Sequence, residues 1–245
     1  MEALYKGMEK SIVVVGGAGG IGRCIVEQLR QEYKIYVLDI KDITTSIEQC
    51  DTIIPIVGDI LEESTLDLVE EILSKEESFM GIIFSAGIMV PGTVMDTEDD
   101  IWQKVLDTNL TSVYKLSKRL LPYLMQHKKS YIIAIASNMA IVGSYGLTAY
   151  SVSKAALVEL VKCMSLDFGT KGVMVNSISP GFIDTDMLAS AKKVFNINRN
   201  WMYTTGGLPK QTVDKEDVAK AVEFLLTTHS MNGANIVPDA GYVVR

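Results

Sequence analysis

Apolar positions along this chain fall into two alternating patterns. Residues 11–15 are a short β-branched run. Residues 20–31 then place Ile21, Ile25 and Leu29 on one face at helical spacing. The alternation continues: 34–39 and 52–57 read as strands, 61–74 as a helix, 79–85 as a strand and 99–127 as one long helix. Residues 130–136 read as a strand, 150–169 as a helix closed by Gly169, 173–179 as a strand, 214–226 as a helix and 234–237 as a last short strand. This order predicts an α/β fold, a doubly wound parallel sheet of about seven strands with helices on both faces. Without a linker or a repeat, one domain is expected over 10–245, preceded by an extension at 1–9. Only 182–212 lacks a pattern, and a segment of that length is expected to be a substrate lid, with Gly206-Gly207 as hinge.

Composition narrows the function. A chain of 245 residues, 48% apolar and 22% charged, suits one large enzyme domain. No apolar run approaches the ~20 residues that span a bilayer, so no membrane association is expected. The net charge of −7, without a basic stripe, argues against nucleic acid as a partner. His127-Lys128-Lys129 reads instead as a helix C-terminus. Cys24, Cys50 and Cys163 are scattered and odd in number, which suggests reduced thiols and a cytoplasmic location. Two histidines and no cysteine pair leave no basis for a zinc site or a Ser-His-Asp triad.

The first strand runs into Gly16-Gly17-Ala18-Gly19-Gly20-Ile21-Gly22, followed by a helix. Glycines let a phosphate approach the main chain, and a helix N-terminus offers N–H groups and a positive dipole end. Asp39 closes the second strand, where a dinucleotide fold places an acid on the ribose hydroxyls. Its carboxylate would repel a 2′-phosphate, so NAD is expected over NADP. Arg23 is the one nearby cation that speaks for NADP. Further along, Tyr150 and Lys154 stand four apart on a helix and share a face. A cation beside the phenol favours its ionised form and makes it a general acid–base near neutral pH.

With these residues in place, the chain resembles the short-chain dehydrogenase/reductase family of the Tyr-x-x-x-Lys type, from about residue 10 to the C-terminus. That resemblance implies a Rossmann-type fold. The family's Thr-Gly-x-x-x-Gly-x-Gly motif corresponds to the run from Val15 to Gly22, with Val15 replacing Thr. Asp59 and Ile60 match its adenine-side turn, and Ser85-Ala86-Gly87 match its Asn-Ala-Gly turn, with Ser85 replacing Asn. The two departures remove a mutually supporting side-chain pair, which predicts a less rigid turn. Pro180, Gly181, Ile183 and Thr185 resemble the motif that holds the nicotinamide carboxamide, and Asp239-Ala240-Gly241 resembles the family's Asp-Gly-Gly. Asn109, Ser137, Tyr150 and Lys154 match the catalytic set. Ser137 stands thirteen residues before Tyr150, as the family's serine does. Ser151 and Ser153 compete for that role in sequence, and Ser151 faces away from Tyr150.

The resemblance implies reversible oxidation of a secondary alcohol to a ketone with NAD. Tyr150 would move the proton, Ser137 would bind the reacting oxygen, Lys154 would lower the Tyr150 pKa and hold the ribose, and Asn109 would link Lys154 to water. An NADPH-dependent carbonyl reductase and a non-catalytic dinucleotide sensor remain open alternatives. An enoyl reductase would space its Tyr and Lys more widely. Met89, Met139, Tyr145, Phe182, Met187, Trp201, Met202 and Tyr203 are candidate pocket residues, mostly apolar and adaptable. They suggest a cyclic or hydrophobic small-molecule alcohol. Lys192, Lys193 and Arg199 could receive a carboxylate or form a solvated face. The family commonly pairs the helices at 99–127 and 150–169 across a two-fold axis, so a homotetramer is expected. Leu157, Leu160, Val161 and Met164 leave little polar surface on the second helix, and a helix apolar around most of its circumference is expected to be buried on more than one side.

Overall fold

The computed structural model describes residues 10–43, 51–185 and 212–244. Seven strands lie in one sheet: β1 (Ser11–Val15), β2 (Lys34–Asp39), β3 (Ile53–Val57), β4 (Phe79–Phe84), β5 (Ser130–Ile135), β6 (Val173–Ile178) and β7 (Asn235–Ile236). Their order is β3-β2-β1-β4-β5-β6-β7, and every pair is parallel. The helices are α1 (Gly20–Leu29), α2 (Glu63–Ser74), α3 (Asp99–Leu106), α4 (Ser112–Leu124), α5 (Thr148–Phe168) and α6 (Lys215–Thr227). The expected single doubly wound domain is therefore the observed one.

Strand geometry sends alternate side chains to opposite faces, and the core divides accordingly. Val13 and Val15 join Leu38, Phe84 and Ala134 beneath α2, α4 and α5, where Leu66, Leu120 and Leu157 meet them. Ile12 and Val14 join Val37, Ile83 and Ile133 on the other face, under Ile25 of α1 and Val222 of α6. Strands covered on both faces read as continuous apolar runs, which is why β1 and β5 are buried at every position. Pro55 lies in β3, at the sheet edge, where a missing N–H leaves no gap in an inner ladder.

The structure revises three expectations. The span 99–127 is not one α-helix: a π-helical segment, Asp107–Thr111, separates α3 from α4. Gly169 is not the left-handed terminator of α5. It keeps a helical φ of −59°, a short 3₁₀ turn follows, and Gly172 ends it at φ +87°. A Cβ on Gly172 would come within 2.6 Å of the Lys128 carbonyl oxygen, so sterics as well as φ require glycine there. Finally, Leu157, Val161 and Met164 belong to the chain's own core and Leu160 packs against it, so they supply no free pairing face. The exposed large apolar residues of α5 are Val152 and Leu166.

Two ionic clusters tie distant segments together. Arg119 of α4 reaches Glu63, Asp67 and Glu70 of α2 at 2.6–3.0 Å. At the end of the sheet opposite the strand C-termini, Glu76 accepts from Lys34, from Tyr36 Oη at 2.6 Å and from Ser78 Oγ at 2.7 Å. Burial raises the Glu76 pKa, but these donors outweigh it and hold the carboxyl at about 2. Among the described residues, no helix is long and apolar enough to cross a membrane, and no group of three metal-ligating side chains occurs.

Candidate active site

The chain reverses direction across the sheet between β1 and β4, and the C-terminal ends of β1, β4, β5 and β6 open at that switch point. The glycine run leaves β1 with Gly16 at φ +81°, and a Cβ there would lie 2.4 Å from the Ala86 nitrogen. Gly19 is the extended N-cap of α1 and makes no side-chain cap, and the first turn of α1 carries no acid. The N-terminal N–H groups of α1 are thus not claimed by a capping side chain. A Cβ on Gly19 would meet only the Gly16 oxygen, at 3.5 Å. Main-chain donors with room beside them, at a helix start, fit the diphosphate of a dinucleotide.

Asp39 sits half-buried at the end of β2. Its Oδ2 accepts the Ala18 N–H at 2.9 Å and its Oδ1 accepts the Lys41 N–H at 3.0 Å. The acid therefore fastens the glycine turn. Gly58 N donates to Asp39 O, which sets Asp59 on the neighbouring strand end. Asp59 is exposed and accepts the Leu61 N–H, while Ile60 is buried in the core. The turn expected to loosen is held by main chain: Ser85 N and Ala86 N both donate to the Val15 carbonyl, at 2.8 and 2.9 Å. Those bonds need neither a Thr nor an Asn side chain. Past β6, Asn138 N donates to Pro180 O, Gly181 N donates to Pro238 O, and Ile183 is buried among core residues. The Thr185 methyl lies so close to Gly20 that a Cβ there would meet it at 3.1 Å. The carboxamide-type motif and the glycine turn are thereby brought together.

Asn109 occupies the centre of the π-helical segment and is 1% exposed. Its Oδ1 accepts the Ile88 N–H at 2.8 Å, and its Nδ2 donates to Ile88 O and to Ser153 Oγ, each at 2.9 Å. Ser153 in turn donates to Tyr150 O at 2.7 Å. Ser153, a competitor of Ser137 in sequence, thus joins Asn109 to α5. Its signal in sequence was only its place between Tyr150 and Lys154. Gly87 closes this group: a Cβ on it would lie 3.1 Å from Asn109 Oδ1 and 3.3 Å from Lys154 Nζ.

Lys154 is 4% exposed and donates to Ile135 O at 2.8 Å. Burial lowers its pKa to about 8, so at pH 7 about nine in ten of these amines carry a proton. Its Nζ lies 5.9 Å from the centre of the Tyr150 ring. In the chain by itself, burial raises the Tyr150 pKa and a hydrogen bond from Ser137 draws it down. Ser137, not Lys154, is thus the side chain that opposes burial at the phenol. Ser137 caps the short turn Asn138–Ala140, and its Oγ accepts the Met139 N–H at 3.2 Å.

Around this centre, Met89 is half-buried, Met139 is buried and Tyr145 is exposed. Phe182 packs edge-on against Tyr242 at 5.3 Å between ring centres. Gly92 N donates to Gly146 O, joining the loop after β4 to the loop that carries Tyr145. Met187, Trp201, Met202, Tyr203, Lys192, Lys193, Arg199, Gly206, Gly207 and the expected lid beyond Thr185 lie outside the described residues, as does Cys50.

The chain is similar to known proteins over nearly its whole length. A 3-oxoacyl-acyl-carrier-protein reductase of Haemophilus influenzae is 29% identical over 243 residues, covering 96% of this chain and 93% of its own. A solved short chain dehydrogenase family protein of Francisella tularensis superposes with a TM-score of 0.86 at 26% identity, covering 96% of this chain and 99% of that one. A 4-hydroxyisoleucine dehydrogenase complexed with NADH superposes with a TM-score of 0.81 at 28% identity, again covering 96% and 99%. The model of the family described as short chain dehydrogenase matches residues 10–194. The match takes in the glycine turn, the π-bent helix and the Tyr150–Lys154 face of α5, and the chain belongs to the short-chain dehydrogenase family of oxidoreductases.

Proposed function

We propose that this protein interconverts a secondary alcohol and a ketone with NAD(H), with Tyr150 as general acid–base. The observation that carries this reading is the convergence of Ser137, Tyr150, Lys154 and Asn109 beside the glycine turn, four groups a passive binder does not need. A bound nicotinamide dinucleotide supplies the hydride acceptor or donor. In the oxidative direction Tyr150 Oη takes the hydroxyl proton of the substrate. Ser137 Oγ–H donates to the substrate oxygen and stabilises charge that develops there. Ser137 opposes the rise that burial imposes on the phenol, while Lys154, largely protonated at neutral pH, places a cation 5.9 Å from the ring centre. Asn109 and Ser153 hold α5 against Ile88, which fixes where Tyr150 and Lys154 point.

Asp39 supports NAD over NADP, because a fixed, half-buried carboxylate repels a 2′-phosphate. The relative named as complexed with NADH agrees in cofactor. The reductase of 3-oxoacyl groups favours one substrate class in particular, a ketone two carbons from an acyl carbonyl. Turnover with a panel of cyclic, aliphatic and 3-oxoacyl thioester substrates, each with NADH and NADPH, tests the reading. Tyr150→Phe should lower kcat by ~10²–10⁴-fold and leave NADH binding within threefold, since Phe keeps the ring and removes the proton-transfer atom. Activity within tenfold of the native enzyme removes Tyr150 from this role.

We also propose a homotetramer paired through α4 and α5. Val152, Leu166 and Tyr114 are the exposed apolar residues that support it. A monomer by sedimentation at micromolar concentration overturns it.

A further inference from the structure

Ser137 has one proton and two lone pairs to distribute. Its Oγ already accepts the Met139 N–H at 3.2 Å. The next side chain, Asn138, brings its Oδ1 to 3.4 Å from that Oγ. Asn138 is 2% exposed, yet its Nδ2 has no hydrogen-bond partner among the described residues. The backbone around it is pinned: Asn138 N donates to Pro180 O, and Asn138 O accepts from Ile141 N and Val142 N. The amide group is the part free to turn.

A buried amide donor without a partner costs about 1–3 kcal/mol, and the one bond its oxygen makes is long. A half-turn about Cβ–Cγ keeps the shape and brings Nδ2 to Ser137 Oγ instead. The Ser137 oxygen then accepts twice, from Met139 N–H and from Asn138 Nδ2. Its own proton is left to point away from both, toward Tyr150 and the reacting oxygen. In the other orientation Asn138 Oδ1 competes for that proton.

We propose that Asn138 is a positioning residue that donates from Nδ2 to Ser137 Oγ in the reactive state and so directs the Ser137 proton onto the substrate oxygen. This rests on the alcohol–ketone reading above. It goes beyond that reading by giving Asn138 a part in the reaction, acting through Ser137.

The test uses Asn138→Asp and Asn138→Leu in the full-length enzyme, with kcat measured from pH 5 to 9. Asp has the shape of Asn but donates only while protonated. As pH rises and the carboxyl ionises, it accepts the Ser137 proton instead. The kcat ratio of Asn138→Asp to native enzyme should therefore fall at least tenfold from the acid to the alkaline end. Tyr150 and Lys154 of α5, and Asp239 behind the Gly181 corner, are ionisable in all three proteins, so the ratio isolates position 138. Asn138→Leu should lose about tenfold in kcat by a factor independent of pH. NADH affinity should stay close to native in both, and so should the melting temperature of the Leu variant and of the Asp variant at the acid end, which a merely structural role would not allow. An Asp variant whose ratio is flat with pH, or a Leu variant within threefold of native, overturns the proposal. If the Asp variant does not fold, the Leu variant decides alone; if neither folds, the residue is structural and the proposal fails. Turnover lost in Tyr150→Phe but unaffected at position 138 rejects this inference and leaves the alcohol–ketone reading standing. A native enzyme inactive on every substrate rejects that reading instead.

Discussion

Lys154 donates to the backbone carbonyl of Ile135 at 2.8 Å, so the amine of α5 is anchored to the last residue of β5. That bond does not repay the burial of a cation. A pKa lowered from 10.5 to about 8 corresponds to about 3 kcal/mol of cost to the folded state. Unpairing the Ile135 carbonyl would take back about 1–2 kcal/mol. Lys154→Met should thus abolish turnover and yet stabilise the cofactor-free protein by about 1–2 kcal/mol at pH 7. The sign with pH is definite. Below pH 8 the folded state holds the charged amine at full cost. Between pH 8 and 10.5 the folded state loses its proton before the unfolded state does, and the cost shrinks. Urea unfolding at pH 7 and pH 10 should show the variant's advantage fading at the higher pH.

Glu76 behaves in the opposite sense. Its folded pKa is held at about 2, below its ordinary 4.5, so it stabilises the fold above pH 4.5 and loses that contribution as pH falls toward 2. Glu76→Gln should cost about 2 kcal/mol at pH 7, because Lys34 loses its counter-charge. It should also flatten the stability profile between pH 4.5 and 2. Equal slopes in the two proteins would remove Glu76 as the source of the acid sensitivity.

Asp39 has two duties that Ala and Asn separate. Asp39→Asn keeps an oxygen for the Ala18 N–H but loses the charge. It should bind NADPH at least tenfold better than the native enzyme does, with little change in melting temperature. Asp39→Ala should weaken NADH binding further and lower the melting temperature, since the Ala18 N–H loses its partner. Dissociation constants that already favour NADPH in the native protein would end the NAD assignment.

Ala240 adopts φ +56°, a left-handed conformation costly for a residue with a Cβ. Glycine removes that cost but has more freedom to lose on folding. Ala240→Gly should still gain about 0.5–1 kcal/mol, seen as a rise in melting temperature. A fall would show that the Ala240 methyl contributes packing that outweighs the strain.

The order of strands and helices was legible from the chain alone, because it depends on periodicity. Ile12 and Val14 go to one face and Val13 and Val15 to the other whatever lies above them. The glycine turn, Asp39 and the Tyr150–Lys154 pair were legible too, since each is a local pattern of residue types. What tertiary structure alone decided involves partners far apart in sequence. The span 99–127 reads as one regular helix, yet Asn109 meets Ile88 and Ser153, and the π-helical segment centred on it puts its amide there. The glycine that ends the α5 region is Gly172 rather than Gly169, because the chain there passes against Lys128 of another loop. The faces of α5 follow the same rule: apolar spacing identifies buried positions but not whether the chain itself or a second copy covers them. Leu157 and Val161 turn inward onto the sheet, and Val152 and Leu166 remain outside. Charge is decided in the same way, since no sequence window joins Glu76 to Lys34 or Lys154 to Ile135. Burial and hydrogen bonding set the proton on a side chain, and both exist only once distant segments have packed.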